Sequence, residues 1–118
     1  MFATLIPLLA DRYHLVAPDY PGFGESDAPA PSQFRYSFDH LAEVIDHFTQ
    51  QLALQNCVLY QQDYGGPIGM RLAVAHPKRV KAIIVQNAVV HEDGSGPARN
   101  IRKAFWKDRA AYQDKIIP

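Results

Sequence analysis

A single cysteine, Cys57, occurs in the 118 residues, so no intramolecular disulfide can staple the chain. It lies in the apolar run Cys57-Val58-Leu59-Tyr60, where a thiol reads as a small, inert, buried hydrophobe. An excess of charge is lacking too: 12 basic and 12 acidic side chains give a formal net charge of zero. With no long-range field, the chain is expected to bind neither nucleic acid nor an anionic membrane. No apolar run approaches the roughly 20 residues needed to cross a bilayer, and the apolar start, Met1 to Ala10, lacks a basic flank. Repeats and low-complexity tracts are absent. The expectation left by these absences is a soluble, cytoplasmic globular protein the size of one small domain.

What remains is an alternation of helices and strands. Phe2 to Ala10 has apolar residues at helical spacing, with Pro7 early in the helix or kinking it. Tyr13 to Asp19 is a short apolar run halted by Pro18, the pattern of a buried strand. Residues 20–36 are rich in Pro, Gly and Ser and form an irregular excursion. Ser37 then serves as N-cap, with Asp39 in the first turn. Phe38, Leu41, Val44, Ile45, Phe48 and Leu52 follow at spacings of three and four, predicting an amphipathic helix of about four turns. A second strand spans Cys57 to Gln61, a helix runs from about Pro67 to Ala75, and His76-Pro77 stops it. Lys81 to Gln86 is a third strand. His91 to Pro97 reads as a polar linker, and Ala98 to Tyr112 as a basic amphipathic helix with Ile101, Phe105 and Tyr112 on one side. This order predicts an α/β fold, a mostly parallel sheet with flanking helices.

Chemistry concentrates in Tyr60-Gln61-Gln62-Asp63-Tyr64-Gly65-Gly66-Pro67. A residue at the tip of a sharp strand-to-helix turn projects from the carboxyl edge of the sheet, where ligands bind in open α/β folds. Such a residue is strained and needs small neighbours, which Gly65 and Gly66 supply. A carboxylate there faces the free N–H groups of the following helix, which favour the anion. An ionised carboxylate can attack carbon without a base. The alternative is plain: Asp is a favoured N-cap, and Asp63 ahead of a helix with Pro67 in its first turn could be only that.

Context adds a resemblance. Asp19-Tyr20-Pro21-Gly22-Phe23-Gly24-Glu25-Ser26, then Gln62-Asp63-Tyr64-Gly65-Gly66, then His76-Pro77-Lys78-Arg79-Val80 occur in the order and spacing typical of α/β-hydrolases. Asp at the turn, preceded by Gln, is similar to the haloalkane dehalogenase and epoxide hydrolase branch; lipases place Ser there. The resemblance implies that Asp63 is a nucleophile attacking a small organic substrate, a haloalkane or an epoxide, to form a covalent alkyl ester. It implies that the Tyr64 backbone N–H is one of two oxyanion donors when water cleaves that ester, and that no cofactor or metal is needed. Two departures stand out. Tyr64 occupies the place where many haloalkane dehalogenases have a Trp that holds the halide. Gln61, two before the nucleophile, is larger than the small residue common in Ser-type turns.

The same resemblance assigns residues 1–91 to a core fragment containing the nucleophile elbow, and 92–118 to a linker and the beginning of a cap (lid) helix. It places the second oxyanion donor, the catalytic acid and the catalytic His outside these 118 residues, since neither His76 nor His91 stands at the family's His position. Other signals are weaker. Gly22-Phe23-Gly24 lacks the third glycine of a dinucleotide fingerprint, Asp27 standing in its place. Asp39, His40, Glu43, Asp46 and His47 read as a solvated helix face. His91-Glu92-Asp93 runs into Gly94-Ser95-Gly96, a loop rather than a metal site. Arg99, Arg102, Lys103, Lys107 and Arg109 read as a solvated or cap surface.

In that family's sheet, the strand before the His-Gly loop lies between the strands near His14 and Cys57. Without it a gap opens or a foreign pairing forms, and open strand edges recruit other chains. The 118-residue chain is therefore expected to fold poorly or to self-associate through exposed strand edges. The alternative to an enzyme is thus a non-catalytic remnant that binds partners. A sharp, dispersed amide spectrum from a dilute monomer would contradict this expectation.

Overall fold

The computed structural model describes residues 1–91 and 98–116. Its order is α1 (Leu5–Leu9), α2 (Phe38–Gln51), β1 (Cys57–Gln62), α3 (Gly65–Ala75), a 3₁₀ turn (Pro77–Arg79), β2 (Val80–Gln86), α4 (Ala98–Lys107) and α5 (Arg109–Ile116). β1 and β2 pair in parallel, with Tyr60 opposite Ile84 and Gln62 opposite Gln86. α3 is the crossover between them, so the central unit is β-α-β, a partial α/β fold as expected.

α2 starts where the sequence places it. Ser37 is extended, and its side chain accepts a hydrogen bond from the His40 N–H at 3.2 Å. The apolar stripe buries Leu41, Ala42 and Ile45 against Ile68 of α3, which is 1% exposed. Tyr20, Phe34 and Phe38 close over this cluster. The helix ends in a Schellman arrangement. The Leu54 N–H reaches the Thr49 carbonyl at 3.0 Å, that of Ala53 reaches Gln50 at 2.9 Å, and Ala53 takes φ 51°.

Three expectations need correction. Tyr13 to Asp19 is not a strand among the described residues. A strand exists only when a neighbour takes its hydrogen bonds, and the sheet contains β1 and β2 alone. The basic helix is broken. Asp108 interrupts it, and its carboxylate accepts from the Ala111 N–H at 3.1 Å, capping α5 instead of continuing α4. The acidic residues of α2 are not all solvated: Asp39 stays exposed while accepting from Arg71 Nε at 2.6 Å, but Asp46 is half-buried against the far end of α3. Glu92, Asp93 and the glycines after them lie outside the described residues, as does the linker up to Pro97. No described helix is long and apolar enough to cross a membrane.

The Asp46 contact ties α2 to the end of α3. Its two carboxylate oxygens meet His76 Nε2 and Arg79 Nη1, each at 2.8 Å, and Arg79 Nη2 donates to Thr49 Oγ1 at 2.6 Å. Burial pushes the Asp46 carboxyl up, but the hydrogen bonds and charges of His76 and Arg79 outweigh it and leave the group below its ordinary value. A depressed carboxyl stabilises the fold above its unfolded pKa, about 3.9, and that stability is lost as pH falls through the lower folded value. Asp46→Asn is expected to cost about 1–3 kcal/mol at pH 7 and progressively less as pH falls below the ordinary carboxyl value and through the lowered folded one. Urea midpoints of both chains across that range check it.

Candidate active site

The strand-to-helix turn is built from the last residue of β1 and the first turn of α3. Between them Asp63 has φ 47°, the left-handed region that L-residues rarely adopt and Asp tolerates better than most. The Gly66 N–H closes the turn on the Asp63 carbonyl at 3.1 Å. Tyr64, not Asp63, holds the N-cap position of α3, and no side chain caps it. The Asp63 side chain is exposed and makes no hydrogen bond or ion pair among the described residues. Its carboxylate is therefore not folded back as a cap, the alternative that the sequence left open.

A close neighbour requires glycine at 66, whereas 65 has ordinary room. A Cβ on Gly66 would lie 2.6 Å from the Ala88 Cβ, so the turn sits directly on the chain leaving β2. A Cβ on Gly65 would be 3.5 Å from the Tyr20 hydroxyl, an ordinary contact that places this phenol beside the turn. Burial pushes the Tyr20 hydroxyl up, so it remains a protonated donor through the neutral range.

Residues 19–27 form a closed loop against the turn. Asp19 Oδ2 accepts from the Glu25 N–H at 3.0 Å, and the Ser26 hydroxyl donates to the Asp19 carbonyl at 2.8 Å. The Gly22 N–H donates to the Asp27 carbonyl at 2.9 Å. This loop sets the Phe23 ring in a T-shaped contact with Tyr64 at 6.2 Å, and Phe38 makes a second T-shaped contact with Tyr64 at 5.3 Å. The Tyr64 side chain thus packs against two aromatic rings.

Of the histidines considered in the sequence, His76 ends α3 and is bonded to Asp46. A helix of 11 residues separates it from the turn, about 16 Å, too far for a base acting at Asp63. His91 is exposed beyond β2. No described group of three or more His, Cys, Asp or Glu could hold a metal ion. A groove of about 200 Å³ runs between α2 and α3, lined by Asp39, Glu43, Asp46 and Arg71 among others, and Asp63 is not part of it. Sequence reading missed the Asp19 staple and the approach of Tyr20. The glycine at 24 was the available signal for the first, and none pointed to the second.

Compared with known families, residues 1–114 match the alpha/beta hydrolase fold. The chain belongs to this family. It is 39% identical to an uncharacterised hydrolase of Saccharomyces cerevisiae, over all of this chain and 41% of that protein. It is 41% identical to haloalkane dehalogenase 2 of Mycobacterium tuberculosis, over 74% of this chain and 30% of that protein. A point variant of the haloalkane dehalogenase DatA of Agrobacterium tumefaciens superposes with a TM-score of 0.64 at 25% identity, covering 78% of this chain and 32% of that one. This α/β-hydrolase chain is thus similar to haloalkane dehalogenases over part of their length, and it spans between about three-tenths and two-fifths of the curated relatives it matches.

The Asp19 staple leaves no room for a side chain at Gly24, where φ is 54° and a Cβ would fall 2.1 Å from Asp19 Oδ2. Gly24→Ala is expected to destabilise the fold by about 2–3 kcal/mol, from backbone strain and the displaced carboxylate together. Urea unfolding measures the loss, and limited proteolysis is expected to cut first within residues 19–27.

Proposed function

We propose that this chain carries the aspartate nucleophile of a hydrolase that acts at carbon through a covalent alkyl ester, on small haloalkane or epoxide substrates. The observation that carries the reading is the Asp63 backbone, held at φ 47° on the tip of the turn with its carboxylate exposed and unpartnered among the described residues. Strain of this kind costs about 1–3 kcal/mol and persists where the surroundings over-determine it, as Gly66 against Ala88 does here. Named relatives add support: haloalkane dehalogenases, and a fluoroacetate dehalogenase of a Burkholderia species at 31% identity.

In the first step an Asp63 oxygen attacks the substrate carbon. The carbon–halogen bond breaks and the halide leaves with the bonding pair; with an epoxide, the ring C–O bond opens to an alkoxide that takes a proton from solvent. In the second step water adds to the carbonyl carbon of the ester, and the Tyr64 N–H stabilises the oxygen that becomes negative. Collapse breaks the bond to the alkyl oxygen, which takes one proton of the attacking water and leaves as the alcohol; the other proton passes to solvent and Asp63 returns to its carboxylate. An oxyanion donor of this type contributes about 3–4 kcal/mol. Tyr64 carries a phenol where an indole donor holds halide in many relatives, and a phenol can also donate one hydrogen bond to an anion. We place this turn in the core fragment, residues 1–91, with 92–118 as linker and start of the cap, in a protein of the cytoplasm.

A second reading rests on a different observation. β2 leaves Ile83, Ile84 and Val85 at 38%, 49% and 50% exposure, and Val58 and Tyr60 of β1 are exposed beside them. An apolar sheet of this kind associates through its face and its edges, so the chain would act as a binding partner without catalysis.

Single-turnover mass spectrometry with 1-bromohexane and with styrene oxide separates the two. Wild-type chain is expected to gain one alkyl group on the peptide containing Asp63, and Asp63→Ala is expected to gain none. An adduct that persists at full amplitude in the alanine variant removes Asp63 from the chemistry.

A further inference from the structure

Gln61 is the departure from the Ser-type pattern that the reaction above leaves unused. It is 3% exposed, the buried polar residue of β1, and both its Nε2 and Oε1 lack a hydrogen-bond partner among the described residues. A buried amide left unpaired costs stability, so this side chain is not explained by fold stability. Its surroundings are specific in shape. A Cβ on Gly69 would lie 2.5 Å from Gln61 Nε2, 2.8 Å from its Cδ and 3.1 Å from its Cγ. The outer half of Gln61 therefore occupies the space that any other residue at 69 would fill. Gly69 stands four residues after Gly65, one turn further along the same face of α3. Two residues beyond Gln61, the same strand delivers Asp63.

We propose that Gln61 is a positioning residue. Its contact with Gly69 sets the depth at which α3 sits on β1, and through it where the first N–H groups of α3 stand relative to the Asp63 carboxylate. The inference rests on Asp63 as nucleophile. Among the glycines of α3, Gly69 is the one whose nearest atoms belong to β1: Gly65 faces Tyr20 and Gly66 faces Ala88, both outside the strand. A helix end displaced by an ångström at a reacting group lowers rates about a hundredfold, so a single contact of this kind suffices to matter.

The test is a double-substitution cycle on the full chain, read as the rate of alkyl-enzyme formation per folded molecule, well below the melting temperature. Gly69→Ala in the wild-type background is expected to lower that rate at least tenfold. In the Gln61→Ala background, where the space is free, the same change is expected to cost less than twofold. An equal factor in both backgrounds overturns the proposal. So does a Gly69→Ala chain that melts earlier yet reacts at the wild-type rate, the mark of a merely structural contact. If Gly69→Ala does not fold, Gln61→Asn takes its place. It withdraws the amide from Gly69 by one methylene and is expected to slow alkylation at least tenfold; an unchanged rate overturns the proposal. If wild type forms no adduct, the nucleophile reading fails by itself. The cycle is then read in the amide resonances of Tyr64, Gly65 and Gly66. Gly69→Ala is expected to shift them only when Gln61 is present, and a shift independent of Gln61 overturns it.

Discussion

One backbone constraint organises this structure: a chain leaving a parallel strand must reverse into a helix within two residues, Asp63 and Tyr64. That reversal forces a left-handed φ on a non-glycine residue, and every close neighbour of the turn is arranged around it. Gly66 lets it rest on Ala88, the Tyr20 phenol lies beside Gly65, and Gly69 receives Gln61. The bend lies inside the β-α-β unit, between β1 and α3. α2 stabilises it from behind through Leu41, Ala42 and Ile45 against Ile68, and the Asp46 cluster fixes the opposite end of α3. Restraint at both ends of one helix makes the start of that helix a fixed point.

The loop of residues 19–27 shows how the same need for small residues recurs where a carboxylate must approach backbone. Asp19 spends both its side chain and its carbonyl on the loop, reaching the Glu25 N–H and the Ser26 hydroxyl. The loop then presents Phe23 to Tyr64. Its Gly22-Phe23-Gly24 thus has a geometric purpose unrelated to nucleotide binding: both glycines have positive φ, and the phenylalanine between them joins the aromatic wall of the turn.

Much of this was legible in the sequence because it is local. The cap at Ser37, the stripe of α2, the bounds of β1 and β2 within a residue and the small residues after Asp63 all follow from short-range rules. Tyr13 to Asp19 was misread for the opposite reason: an apolar run states a preference for burial, while strand character depends on a partner elsewhere. Asp46, His76 and Arg79 sit 30 and 33 residues apart and meet only once α2 and α3 have docked, so no spacing rule could join them. The break at Asp108 was legible and overlooked, since Asp is a weak helix-interior residue and a strong cap. Gln61 shows the reverse. Its size was conspicuous in the sequence, and only Gly69 gave that size a meaning.

The proposed chemistry divides into halves with different demands, and the described residues meet them unequally. Attack by a carboxylate on carbon needs no proton transfer, so under this proposal an exposed, unpartnered Asp63 would suffice for alkylation. Hydrolysis of the ester needs water activated by a base and an oxyanion held by more than one donor. His76 is committed to Asp46 at the far end of α3 and cannot serve as that base, which leaves the Tyr64 N–H as the contribution of this turn to the second half. A chain that alkylates but deacylates slowly would trap its own intermediate. That is why adduct formation, rather than turnover, is the property by which this turn reveals its chemistry.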